Sequence, residues 1–231
     1  MGEKNVDGGK DGEAWKALTH PGSAIKKSLA GSPRIYSSIA EGSHVMFETD
    51  RFVQECRDGL RDQNPHAAMR EIVASAVSEP GQVLKSLGEP TLSGIQTLYR
   101  SDTLTILNVL WGPRMTLYPH DHRMWAVIGI YSGREDNSFY HRSGGGLVPH
   151  GVKTLSLKET IPLGEAVIHA VTNPLDQITA AIHVYGGDFF SVPRSEWDPR
   201  TLQEQSFDIE HAREIFAEAN KRLASPELGS N

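Results

Sequence analysis

From Thr91 onward this chain reads as β-strand almost without interruption. The segments TLTILNVLW, MTLYPHDH, RMWAVIGIY, NSFYHRS, VKTLSLKET, EAVIHAVTN and DQITAAIHVYG alternate polar and apolar residues or run apolar. Their separators, such as GGGLVPHG and IPLGE, are rich in Gly and Pro. Strands this short and this closely spaced must bury a face against a second sheet, so a sandwich or a barrel is expected. The 231 residues suffice for one decorated domain or two small ones. The expected fold is mainly β, a double-stranded β-helix (jelly-roll barrel) over 91–198. No internal repeat points to a solenoid or propeller.

Helices flank this region. Residues 1–35 are rich in Gly, Lys, Asp and Ser with little periodicity, and a flexible arm is expected there. Over 36–90, HVMFETDRFVQECRDGL and HAAMREIVASAVSE carry apolar residues at helical spacing, separated by Asn64-Pro65. A third short helix, PGQVLKSLG, follows before Glu89-Pro90 ends the helical region, which is expected to pack on the barrel. Over 199–231, SFDIEHAREIFAEANKRL predicts a final helix, with Asp208 near its start and Lys221 and Arg222 near its end, each suited to the helix dipole.

Charge and composition exclude several function classes. A formal net charge of -6 leaves no basic stripe for nucleic acid. No apolar run approaches the ~20 residues that span a bilayer. The segment MGEKNVDGGKDGEAWKALTH lacks the apolar core of a signal peptide, and Val6 replaces the Ser or Thr of a myristoylation signal. The single cysteine, Cys56, excludes an internal disulfide framework and fits a reducing compartment, so a cytoplasmic location is expected. Its helical setting in FVQECRDGL suits a packed thiol better than a nucleophile. Oligomeric state stays open.

The candidate chemistry lies in PHDHRMW. Side chains two apart on a strand share a face, so His120 and His122 aim at one point while Asp121 faces the other way. Two converging imidazoles suit a first-row transition metal. A third, His169, lies in EAVIHAVTN after the turn IPLGE. The residues that follow, Met124, Trp125, Ala126 and Val127, offer no carboxylate, and Glu135 falls beyond the strand. The expected ligand set is therefore three neutral histidines without a carboxylate. Fe(II) held in this way keeps its full charge and three adjacent positions, enough for an anionic chelating substrate and O2. In ITAAIHVY, Thr179, Ala181, His183 and Tyr185 share one face, expected to look into the barrel mouth, and Ile178, Ala180, Ile182 and Val184 share the other.

HDHRMW, the distant His169, and IHVYG together resemble the thiol dioxygenases, the cysteine dioxygenase family of cupins, and among them the bacterial branch that oxidises 3-mercaptopropionate. The resemblance covers roughly Tyr99 to Arg194. It implies Fe(II) on His120, His122 and His169, and an outer relay of His183 and Tyr185. The implied reaction adds both atoms of O2 to the sulfur of a small thiol-carboxylate, giving a sulfinate. Arg194, in GGDFFSVPRSEW, falls where that branch grips the carboxylate, although pairing with Glu196 or Asp198 is its simpler alternative. Tyr99-Arg100 resembles the carboxylate-binding region of cysteine dioxygenases, with a shorter loop after it. Two departures stand out: Ala181 occupies the place of the relay serine, and Cys56 lies outside the barrel, which excludes the family's Cys–Tyr crosslink. Three other readings stay open: a cupin oxygenase for a different chelating small molecule, a zinc hydrolase, and a non-enzymatic metal-binding cupin.

Overall fold

A computed structural model describes residues 47–144 and 146–224, all within the compact unit Val45–Asn231. The expected arm, 1–35, lies outside the described residues. Three helices come first, α1 (Thr49–Gly59), α2 (Pro65–Ser78) and α3 (Pro80–Leu87). Asn64 caps α2 by accepting from the Ala67 amide at 3.1 Å, and Pro65 fills the first helical position, where no amide is needed. Gly88, at φ 87°, ends α3.

Eleven strands follow: β1 (Gly94–Arg100), β2 (Thr105–Trp111), β3 (Thr116–Asp121), β4 (Ala126–Ser132), β5 (Arg134–Ser143), β6 (Gly146–Ser156), β7 (Thr160–Leu163), β8 (Ile168–Thr172), β9 (Thr179–Tyr185), β10 (Ser195–Trp197) and β11 (Glu204–Ser206). The final helix is α4 (Ile209–Ala224). Two antiparallel sheets form, in the orders β1-β2-β9-β4-β7 and β11-β10-β3-β8-β5-β6. From β2 to β9 the chain crosses between sheets at every connection except the β5–β6 hairpin. Strands β2-β9-β4-β7 therefore face β3-β8-β5-β6, which is the double-stranded β-helix that the strand spacing predicts. The sequence reading placed several boundaries differently. The separators IPLGE and GGGLVPHG contribute β7 and the start of β6, and β11 lies within 199–231 ahead of the helix. A four-residue strand is too short for its alternation to stand out from a loop.

Two cores form on the two faces of the first sheet. Leu107, Val109, Ile128, Ile130 and Ala181 point between the sheets, with Leu117 and Val171 opposite. Ile106, Val127, Ile182 and Val184 point outward against Phe52, Met69, Val73 and Val77 of the helices. The pleat divides each strand between the two layers, and covering both faces is why these strands read as nearly continuous apolar runs. Gly129 permits the helical layer to lie close, since a Cβ there would overlap Val73 and Val77. Cys56 is fully buried in this layer, and burial pushes its thiol pKa up. Helix α4 packs on the barrel through Phe216, stacked on Trp111 at 5.6 Å. Among the described residues, no helix is long and apolar enough to cross a membrane.

Candidate metal centre

His120 sits near the end of β3, and His122 lies just past the strand, where Arg123 turns the chain at φ 55°. His169 is on β8, its Cα paired directly with that of His120 across the β3–β8 ladder. Strand pairing thus brings together residues 49 positions apart in the chain. The Nε2 of His122 lies 3.2 Å from that of His120 and 3.3 Å from that of His169. All three rings are buried, and their candidate ligand atoms lie within 4.8 Å of one another. Asp121 faces away, as the strand alternation requires, and its buried carboxylate accepts from the Ser195 amide and pairs with Arg123 and Arg142.

The hydrogen bonds on the far side of two rings define what the near side offers. His120 Nδ1 is 2.8 Å from the Tyr118 carbonyl oxygen, and His169 Nδ1 is 2.7 Å from Asn137 Oδ1. Both partners are acceptors, so each Nδ1 carries the proton and each Nε2 presents a lone pair. Burial holds His120 down to about 4, and burial together with the neighbouring histidines holds His122 and His169 well below the ordinary imidazole range. Neutral imidazoles whose lone pairs converge in a buried space suit a metal cation rather than a proton. The residues present therefore fit a metal, and no carboxylate belongs to the group.

The cavity beside the histidines has a free volume of about 30 Å³. His183, Tyr185, Phe189 and Phe207 also line it. His183 Nδ1 lies 3.0 Å from the Tyr185 hydroxyl, and the Tyr185 ring meets the edge of His122 at 5.1 Å. Ala181 is on the same side of β9, fully buried. Burial raises the Tyr185 pKa, so the phenol keeps its proton.

Arg194 is only 9% exposed. Its guanidinium lies 3.9 Å from the ring centre of Phe189 on one side and of Phe207 on the other. One Nη1–H donates to the Phe189 carbonyl, while Nε has no hydrogen-bond partner among the described residues. The simpler alternative, a surface pair with Glu196 or Asp198, is not formed: Glu196 accepts from Gln205 and meets His211 instead. Burial lowers the Arg194 pKa to about 10.

Tyr99 and Arg100, expected at the substrate carboxylate, are not brought to the cavity. Tyr99 pairs with Ile106 in the β1–β2 ladder and shares its outward face, packing into the helical layer. Arg100 forms a two-pronged pair with Asp188 at 2.8 Å and 2.8 Å, at the surface. Three residues outside the expected set stand beside the centre: Trp111 lines the cavity, Asn137 meets His169 and Glu135 lies next to His183. Glu135 and Asn137, two apart on β5, share a face, and the sequence reading set Glu135 aside only because it lies past the preceding strand. The local signal for them was a Glu-x-Asn pair at strand spacing in a run of exposed-looking residues.

No family model matches this sequence. Among solved structures, the chain is similar to an RmlC-like cupin family protein with a double-stranded β-helix fold from Methanocaldococcus jannaschii. That match has 11% identity over 45% of this chain and 87% of that one, with a TM-score of 0.37. It is also similar to oxalate oxidase in complex with the substrate analogue glycolate, at 15% identity over 43% of this chain and 53% of that one, TM-score 0.35. A third similarity is to oxalate decarboxylase, at 13% identity over 39% of this chain and 23% of that one, TM-score 0.33. The strand order of this chain defines its fold independently of these likenesses. The strand order defines a double-stranded β-helix of the cupin type, and its three buried histidines form a group that could hold a metal ion.

Proposed function

We propose that this chain is a mononuclear non-haem Fe(II) thiol dioxygenase. Its substrate is a small mercapto-carboxylate of the 3-mercaptopropionate or cysteine type, and the reaction is R–SH + O2 → R–SO2H. The observation that carries this reading is a small cavity walled by three neutral imidazoles, with a guanidinium buried between two of the rings that line it, Phe189 and Phe207. His120, His122 and His169 would hold the Fe(II), which would supply the redox and Lewis-acid chemistry that joins a thiol sulfur to O2. Because the three ligands are uncharged, they favour an anionic substrate over a neutral one.

The remaining steps belong to the chain's own side chains. Arg194 offers its unpartnered Nε–H to the substrate carboxylate, and burial makes that attraction stronger than at a surface. Phe189 and Phe207 hold the guanidinium through their ring faces and keep water from it. The Tyr185 hydroxyl, still protonated, donates to His183, and its ring lies edge-to-face with His122, so the phenol is placed to give or receive a proton at the cavity wall.

The test is O2 uptake by the Fe(II)-loaded protein with a panel of small thiols, with products identified by mass. Thiol-dependent uptake with a product heavier by two oxygen atoms is expected. Silence across the panel with iron bound would refute the thiol reading. Zinc in place of iron in protein purified anaerobically would point to hydrolysis instead.

A further inference from the structure

Glu135 is completely buried at the start of β5, and its immediate surroundings consist of hydrogen-bond donors. Its Oε2 accepts from the indole Nε1–H of Trp111 at 2.8 Å. Its Oε1 accepts from the Asn137 side-chain amide Nδ2 at 2.9 Å. The same Oε2 lies 3.6 Å from His183 Nε2, which is buried and has no hydrogen-bond partner. Among the described residues, no lysine or arginine pairs with this carboxylate, and the one basic ring beside it is His183. A carboxylate accepts only, so it satisfies the Trp111 and Asn137 donors and favours an N–H on the His183 nitrogen that faces it.

We propose that Glu135 is a positioning residue for both halves of the centre: it holds His183 with Nε2–H toward the carboxylate and, through Asn137, holds the His169 ring with Nε2 bare toward the metal. The second half follows from the order of donors and acceptors. An acceptor-only Glu135 turns the Asn137 amide so that Nδ2 faces it, leaving Oδ1 toward His169. His169 must then carry its proton on Nδ1, which frees Nε2. The first half follows similarly. With a proton on Nε2 facing Glu135, His183 Nδ1 is the acceptor for the Tyr185 hydroxyl at 3.0 Å. The orienting contact that a serine makes in the resembling family, absent at Ala181, comes here from a carboxyl group on another strand. The inference rests on the proposed function only in what it says of turnover.

The decisive measurement is proton–nitrogen correlation NMR of the zinc-loaded, diamagnetic protein labelled with ¹⁵N-histidine. His183→Gln and His169→Gln provide the assignments. The expected wild-type result is a proton on Nε2 of His183 and on Nδ1 of His169. A bare Nε2 on His183 overturns the proposal, and this result needs no Glu135 variant to fold. Glu135→Gln sets an NH2 group against at least one donor, so it should shift the protonated nitrogen of His183 or of His169. An unchanged pattern in both rings overturns the proposal. In the Fe(II) enzyme, Glu135→Gln should lower kcat per bound iron about 10–100-fold with little change in KM, with partial recovery in Glu135→Asp. An unchanged kcat per iron refutes the positioning role. A protein that oxidises no thiol would sink the proposed function while leaving the NMR result to stand or fall separately.

Discussion

Replacing Arg194 with Met should separate stability from substrate binding, because the two effects have opposite signs. The guanidinium is 9% exposed and is held down to about 10 by burial. At about 1.4 kcal/mol per pKa unit, its burial as a cation costs on the order of 3 kcal/mol. The two flanking rings return about 1 kcal/mol each through their faces. The net is a residue that leaves the substrate-free protein about 1 kcal/mol less stable than an apolar side chain of similar length would. Arg194→Met should therefore leave Tm unchanged or raise it by about 2–4 °C for a domain of this size. The same change removes a charge-assisted contact of about 1.5–3 kcal/mol to the carboxylate. KM for 3-mercaptopropionate should rise by roughly 10–100-fold, with little change for a thiol that lacks the carboxylate. Thermal melts of the metal-loaded protein and steady-state O2 uptake read the two effects. A fall in Tm of more than about 5 °C would show that the guanidinium holds the fold together. Equal rises in KM for both thiols would remove Arg194 from the substrate site.

Three further predictions follow from the same geometry. His169→Ala should abolish stoichiometric metal binding, and full occupancy by elemental analysis in that variant would refute the ligand assignment. In the metal-free protein, burial keeps His120 neutral in the folded state down to about pH 4, while unfolded histidines take up protons below about 6.5. The unfolded state thus binds more protons in that window, and stability must fall as the pH drops through it. For His120 alone the loss is on the order of 2 kcal/mol at pH 5, and urea titrations of His120→Phe should show a shallower pH dependence than wild type. Gly129→Ala should cost about 1–3 kcal/mol, because the added methyl meets Val73 and Val77 where α2 lies on β4. An unchanged denaturation midpoint would show that the helical layer can shift away without penalty.

What the chain shows before it folds is what local periodicity encodes. The alternation after Thr91 fixed a β barrel, helical spacing fixed α1, α2 and α3, and His120 with His122 announced a metal-binding point because strand neighbours two apart share a face. The pleat of β9 likewise placed His183 and Tyr185 on the inner side and Ile182 and Val184 on the outer. Tertiary structure decided everything that depends on pairing between distant strands. The β3–β8 register sets His169 opposite His120, and the β1–β2 register turns Tyr99 outward beside Ile106, away from the site a sequence comparison gave it. Glu135 reads in the chain as one more charged residue in GREDN. Its strand neighbour Asn137 is placed locally, but only the closing of β5 over β2 and β9 buries Glu135 against Trp111 and His183. The reason is physical: side-chain direction along a strand repeats every two residues and is written locally. Which strands meet, and in what register, is settled by the burial of whole faces across the barrel.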